Sequence, residues 1–297
     1  MDMNPARIRW LSFLLMASLA HAHQPVMDMA PRWSGGYGIQ IRHESYGSDK
    51  LLSGRDSIVN PLGLERHIRK TWLEAVYTMD KSMRITAKLP YLNQSRREQS
   101  GMGSIFESNE GWGDLILGLP LKRYTNAPRA TWNYGFTPSM RLPTGSSAGN
   151  FPLSDGSLDL ALSLSYSYEG YPFKDHPDRL FYQLYDVFVW INGDGDRGMR
   201  EGNEVGLDVN WGFKPWFDDE NVTGTYLMWD ISARYAGTSK TLTAPLSGSR
   251  VHSGPVFVRY WGTTMFRADW KFPVWEKTDG FALSRGNEFS IGLGMAF

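Results

Sequence analysis

Apolar and polar residues alternate with a period of two along much of this chain. Between positions 287 and 297, Phe289, Ile291, Leu293, Met295 and Phe297 share one face, while Ser290, Gly292, Gly294 and Ala296 share the other. The stretch 158–168 sets Leu158, Leu160, Leu162, Leu164, Tyr166 and Tyr168 against Asp159, Ala161, Ser163, Ser165 and Ser167. The stretch 203–213 sets Val205, Leu207, Val209, Trp211 and Phe213 against Glu204, Gly206, Asp208, Asn210 and Gly212. A period of two is the repeat of a β-strand. It predicts strands near 35–46, 67–80, 83–93, 111–123, 130–141, 158–168, 179–192, 203–213, 223–236, 251–260, 263–274 and 287–297. Most are close to or longer than the ~9–11 residues of a tilted membrane strand. Strands of soluble sandwiches run nearer about five or six.

The connections alternate as well. Long polar stretches at 47–66, 94–110, 142–157, 193–202, 237–250 and 275–286 take turns with shorter ones at 81–82, 124–128, 169–178, 214–221 and 262. Outer-membrane barrels have this asymmetry, with short periplasmic turns and longer extracellular loops. An even strand number then puts both ends of the barrel on the periplasmic side. The predicted fold is an all-β, transmembrane, antiparallel up-and-down β-barrel of about twelve strands. A strand with five alternating apolar residues that ends on Phe297 also resembles the signal read by the barrel-assembly machinery.

Composition changes this picture little. Mean hydropathy is −0.38, and no apolar run after the N-terminus nears the ~20 residues of a membrane helix. Barrel strands average to such a composition because only alternate residues meet lipid. An aromatic share of 14% suits interfacial girdles. The absence of cysteine excludes a disulfide framework, and a net charge of zero gives no reason to expect nucleic acid.

The first residues read as a secretory signal. Arg7 and Arg9 precede a short apolar stretch from Trp10 to Leu19, and Ala20-His21-Ala22 is a small-x-small cleavage site. The domain reading is therefore a signal peptide over 1–22, a periplasmic leader over 23–34 and a barrel over 35–297. The expected location is the outer membrane, reached through a cleaved signal.

Extending the alternation predicts which charged residues face the lumen. The bases are Arg42, Arg84, Lys88, Lys122, Arg141, Arg234, Arg259, Arg267 and Lys271. The acids are Glu44, Glu74, Asp114, Asp159, Asp186, Glu204, Asp208, Asp230 and Asp269. The two sets balance. That favours an interior cross-linked by ion pairs over a pore walled by one sign of charge.

Two segments carry a family resemblance. Gly111-Trp112-Gly113-Asp114-Leu115-Ile116-Leu117-Gly118 is similar to a Gly-x-Gly-Asp-Leu-x-Leu-Gly strand of outer-membrane proteins named for the meta-pathway of phenol degradation. Arg141-Leu142-Pro143-Thr144-Gly145 resembles the Leu-Pro-Thr-Gly that ends their following strand. The family is described as transporters, some encoded beside genes for aromatic degradation, so the resemblance implies an outer-membrane channel. Read physically, Gly111, Gly113 and Gly118 allow close packing, Asp114 points inward toward an Arg partner, and Pro143-Thr144-Gly145 turns the chain outward.

Other chemistry is sparse. A lipid hydrolase would need a Ser, a His and an orienting group together. His252 lies near Ser247, Ser249 and Ser253, but no nucleophile motif accompanies it. Cleavage after Ala22 would expose His23 as an N-terminal copper chelator, with Met27 and Met29 close by. Asp194-Gly195-Asp196 and Asp218-Asp219-Glu220 could hold Ca²⁺ weakly, though solvated acidic loops are commoner. The function expected is a channel for small hydrophobic or aromatic solutes, with no catalytic residue and no cofactor. Its expected partners are outer-membrane lipid, the assembly machinery and the solute. The alternatives are a plugged envelope barrel and a lipid hydrolase.

Overall fold

Backbone N–H and C=O groups inside a bilayer need partners, and a run of antiparallel strands satisfies them all only by closing on itself. The computed structural model describes residues 34–100, 103–148, 152–175, 179–218, 223–239 and 247–297, and it shows that closure. The wall strands are β1 (Tyr37–Ser48), β2 (Glu65–Thr78), β3 (Arg84–Ser100), β4 in three successive pieces (Gly103–Trp112, Leu115–Gly118 and Leu121–Ala127) and β5 (Ala130–Leu142). They continue as β6 (Asp159–Gly170), β7 (Leu180–Ile191), β8 (Glu204–Asp218), β9 (Thr223–Ala236), β10 (Gly248–Trp261), β11 (Thr264–Thr278) and β12 (Glu288–Ala296). Each pairs antiparallel with its sequence neighbours, and β12 returns to β1 with Met295 opposite Ile39 and Ile291 opposite His43. This is a twelve-strand, up-and-down transmembrane β-barrel.

Alternation in sequence becomes alternation of exposure. On β12, Phe289, Ile291, Leu293 and Met295 point out and Ser290 is buried. The same outward face carries Ile41, Leu164, Leu207, Trp211 and Trp229. So wide an apolar belt is stable against acyl chains and would aggregate in water. Phe297 extends the ladder: its N–H donates to Tyr37 O at 2.8 Å, Tyr37 N–H donates back at 2.7 Å, and the two rings stack 6.2 Å apart. Its ring is outward and exposed.

Four connections depart from the sequence expectation. The stretch 94–110 is strand, because β3 and the first piece of β4 continue as a paired hairpin past the rim, with Arg96 opposite Glu107. Polar side chains do not oppose β pairing away from lipid, so a polarity reading ends these strands too early. The first and last extracellular connections are joined by short strands, Leu51–Ser53, Asp56–Ile58 and Phe281–Leu283, in a small sheet of their own. Strand β8 runs on to Asp218 through an irregularity between Phe213 and Trp216, where Pro215 cannot donate a ladder bond.

Candidate functional site: the barrel interior

The inward positions of the wall build two different linings. In the extracellular half and the middle of the barrel, long charged side chains pair mostly between neighbouring strands. Arg234 on β9 places Nη2 2.7 Å from Asp208 Oδ1 and 2.8 Å from Oδ2 on β8, with Nε 3.6 Å from Glu204. On β11, Lys271 Nζ lies 2.6 Å from Asp230 Oδ1 and donates to Ser232 Oγ at 2.9 Å. Arg42 on β1 contacts Glu44 and reaches Glu74 Oε1 at 2.8 Å. Arg141 at the top of β5 contacts Asp159, and its Nη2 lies 2.7 Å from Glu201 Oε2. Arg267 Nε donates to Asp269 Oδ2 at 3.1 Å, and Asp186 accepts from Ser163 Oγ.

Aromatic rings sit among these charges. Trp72, Ile116, Phe188 and Trp190 form one buried cluster inside the barrel, with Ala161 packed against it. Each of three guanidinium groups lies over one of its rings: Arg42 over Trp72 at 5.7 Å, Arg141 over Trp190 at 5.6 Å and Arg234 over Phe188 at 4.7 Å. Weakly hydrated guanidinium groups tolerate such partial desolvation better than an ammonium does. Gly206 makes the last contact possible, since a Cβ there would come within 2.3 Å of Phe188 Cζ.

The periplasmic half carries the buried bases Arg84, Lys88 and Lys214 as well, but much of its wall is lined differently. Ser163, Ser165 and Ser167 on β6 and Asn133 on β5 give a small polar wall. Beside it, Tyr182, Tyr226 and Tyr260 on β7, β9 and β10 make a ladder with ring centroids 6.2 and 6.0 Å apart. Val256 and Val258 are buried beside it.

Two loops close over the top. Thr144 Oγ1 donates to Gly113 O at 3.1 Å and accepts from Leu115 N at 2.9 Å. Asp114 accepts from Gly145 N at 2.9 Å and from Ser154 Oγ at 2.8 Å. The two motifs that carry the family resemblance are therefore one clasp. Asp114 is held by a backbone N–H and a hydroxyl, not by the Arg that the sequence suggested. The clasp lies where β4 is broken: above Leu115, opposite Leu142, β4 pairs with β3 alone. Gly145 is required there, because a Cβ would lie 3.0 Å from Gly113 Cα and Ser154 Cβ. Past the clasp, Leu153, Ser154, Asp155 and Ser157 are buried, and Asp155 O accepts from Asp196 N at 2.7 Å. Burial pushes the Glu201 carboxyl in this second loop up to about 7, with Asp155 and Asp159 adding to the rise against the pull of Arg141.

Of the lumen residues expected from sequence, Arg42, Glu74, Arg84, Lys88, Asp114, Arg141, Asp159, Asp186, Glu204, Asp208, Asp230, Arg234, Asp269 and Lys271 are buried. Glu44, Lys122 and Arg267 are intermediate. Arg259 is a correction. It faces outward and is exposed, with its guanidinium 5.2 Å from the Trp216 ring, while Val256 and Val258 take the inward positions. Near the periplasmic end of β10 a long Arg reaches the interface from the lipid side, so charge there does not mark the inner face. Inward residues missed in sequence include Lys70, Arg66 and Arg250. The last two lie just outside the predicted segments, and Lys70 shares a face with apolar Ile68 and Trp72.

His252 is buried, with Nε2 2.9 Å from Arg285 O and 3.9 Å from Glu288 Oε1, so this ring nitrogen faces a carbonyl and a carboxylate. His23 and the signal segment lie outside the described residues.

A solved structure similar to this fold is the COG4313 outer membrane channel from Pseudomonas putida F1, at TM-score 0.64 and 14% identity, covering 92% of this chain and 99% of that one. The translocator domain of the autotransporter NalP from Neisseria meningitidis is more distant, at TM-score 0.42 and 12% identity over 99% of this chain and 96% of that one. No curated protein matches the sequence. The model of one protein family, described as "Putative MetA-pathway of phenol degradation", matches residues 68–239. With its clasp motifs and most of its wall inside that match, the chain belongs to this family.

Proposed function

We propose that the barrel is an outer-membrane channel for small hydrophobic or aromatic solutes. The observation that carries this reading is apolar and aromatic surface inside a transmembrane barrel, where stability alone asks for polar cross-links. The Tyr182–Tyr226–Tyr260 ladder with Val256 and Val258 offers a solute successive weak contacts. Conduction needs binding that is favourable enough to enter and weak enough to leave. The match to a family described by phenol degradation agrees with this solute class. Export through a signal cleaved after Ala22 and insertion by the assembly machinery through the Phe297 strand belong to the same proposal.

One observation favours a second reading, a plugged envelope barrel: the ion-pair lattice and the inward loops occupy the extracellular mouth. Two measurements separate the readings. A channel opens in planar bilayers, and cells carrying it take up labelled phenol or toluene faster than cells lacking it. A purified, folded barrel with no openings, together with unchanged uptake in the deletion strain, overturns the channel reading.

A further inference from the structure

The lumen charges expected from sequence balance in number, but the structure does not spread the inward charges evenly. Four bases lie near the extracellular ends of β2, β10 and β12: Arg66, Lys70, Arg250 and Arg285, whose guanidinium is 4.1 Å from the Tyr46 ring on β1. Coulomb repulsion from Arg285 acts on each of the other three. Two acids lie among them: Glu288 is engaged by Arg285 and faces His252, and Glu276, opposite Arg250, accepts from Arg285 N at 2.9 Å.

Lys70 is the most informative of these. Its side chain is 2% exposed, and its Nζ lies 5.9 Å from the Tyr46 ring and 6.0 Å from the Trp72 ring. The residue opposite it on β1 is Glu44, whose carboxylate is turned to Arg42. Among the described residues no carboxylate is within salt-bridge reach of Lys70 Nζ, and Arg250 Nη2 is buried without a hydrogen-bond partner. A buried ammonium without a counter-charge is strongly unfavourable, and the rings on either side repay little of that cost. An anion delivered from solution would repay much more.

We infer that the extracellular half of the lumen holds a binding site for a small aromatic carboxylate, its anionic group on Lys70 and Arg250 and its ring against Tyr46 and Trp72. Two aromatic rings beside a localised positive charge match a planar body bearing one carboxylate. The site rests on the channel reading, since it names a solute class for the same lumen.

Binding to the full barrel, purified in an uncharged detergent, tests it without requiring transport. Titrations by calorimetry compare sodium benzoate with benzyl alcohol, which keeps the ring, and acetate, which keeps the charge. Benzoate should bind about tenfold more tightly than either, and Lys70→Met should remove about that factor while Lys70→Arg keeps most of it. Heat-modifiable migration in gels shows whether each variant is folded. If Lys70→Met does not fold, Arg250→Gln should still weaken benzoate binding several-fold. Equal binding of benzoate and benzyl alcohol, or unchanged benzoate binding in a folded Lys70→Met or Arg250→Gln protein, overturns the site. A silent bilayer with intact benzoate binding overturns the channel and leaves the site standing. Conductance with no preferential benzoate binding does the reverse.

Discussion

The two halves of the lumen are built from the same strands yet solve different problems. Above, Arg42, Arg141 and Arg234 reach across to carboxylates on neighbouring strands and lie on the rings of Trp72, Trp190 and Phe188. Below, part of the wall is a tyrosine ladder with serines, beside the buried bases Arg84, Lys88 and Lys214. A buried charge must be paired, so the upper half holds its shape through partners that cannot be removed singly. Hydroxyls and rings carry no such obligation, so on the channel reading proposed above the serine and tyrosine wall is where a solute would meet the barrel. On that reading, rigidity and passage are divided along the axis.

The strongest test of that division is Arg234→Met. It strands Asp208 and Glu204 without their counter-charge and should cost about 3–5 kcal/mol, read as a lowered urea midpoint of the folded barrel in detergent. Comparable losses from a Tyr226 truncation would erase the contrast between the halves.

Asp114→Ala comes next. Losing the bonds from Gly145 N and Ser154 Oγ should cost about 1–3 kcal/mol, concentrated in the loop after β5. Proteolysis within 143–158 should quicken and bilayer conductance should rise. Unchanged cleavage and conductance would show that this loop does not restrict the mouth.

A milder change in the lower half sharpens the comparison from the other side. Tyr226→Ala breaks two ring contacts, worth about 0.5–1.5 kcal/mol each, so folding should suffer less than from Arg234→Met. Uptake of toluene by cells should fall several-fold while conductance to small ions holds or grows. Toluene uptake at the parental rate would remove the ladder from the solute path.

The smallest effect concerns pH. Glu201 has a folded pKa of about 7, above that of an ordinary carboxyl, so the folded loop binds its proton more tightly than the unfolded chain. Docking of this loop is therefore favoured at low pH and weakens as pH rises toward and through 7, where Glu201 ionises beside Asp155 and Asp159. Amide exchange at 196–203, corrected for its intrinsic pH dependence, should be faster at pH 8 than at pH 6. Glu201→Gln should flatten that difference, and a slope retained by the variant would place the titration elsewhere.

Much of the wall was legible because lipid imposes a simple rule on a barrel strand. Leu160, Leu162 and Leu164 against Asp159, Ser163 and Ser165 announce both the strand and its faces. Long and short connections announce the direction of travel. The rule fails wherever lipid is absent. Polar 94–110 looked like loop above the rim, and Arg259 looked inward near an interface it reaches from outside. Lys70 was passed over because its neighbours on the inner face are Ile68 and Trp72.

Local alternation by itself determined that this chain is a membrane barrel of about twelve strands and which residue of most pairs faces the bilayer, since side-chain direction repeats every second residue. It could not decide which inward charges meet. Arg141 and Glu201 are sixty residues apart, and the Asp114 clasp joins two motifs thirty-one residues apart. Those meetings depend on the shear of the closed sheet and on loops that fold back over its mouth. Only the tertiary structure turned a balanced list of charges into a paired lattice with an excess of positive charge around Lys70.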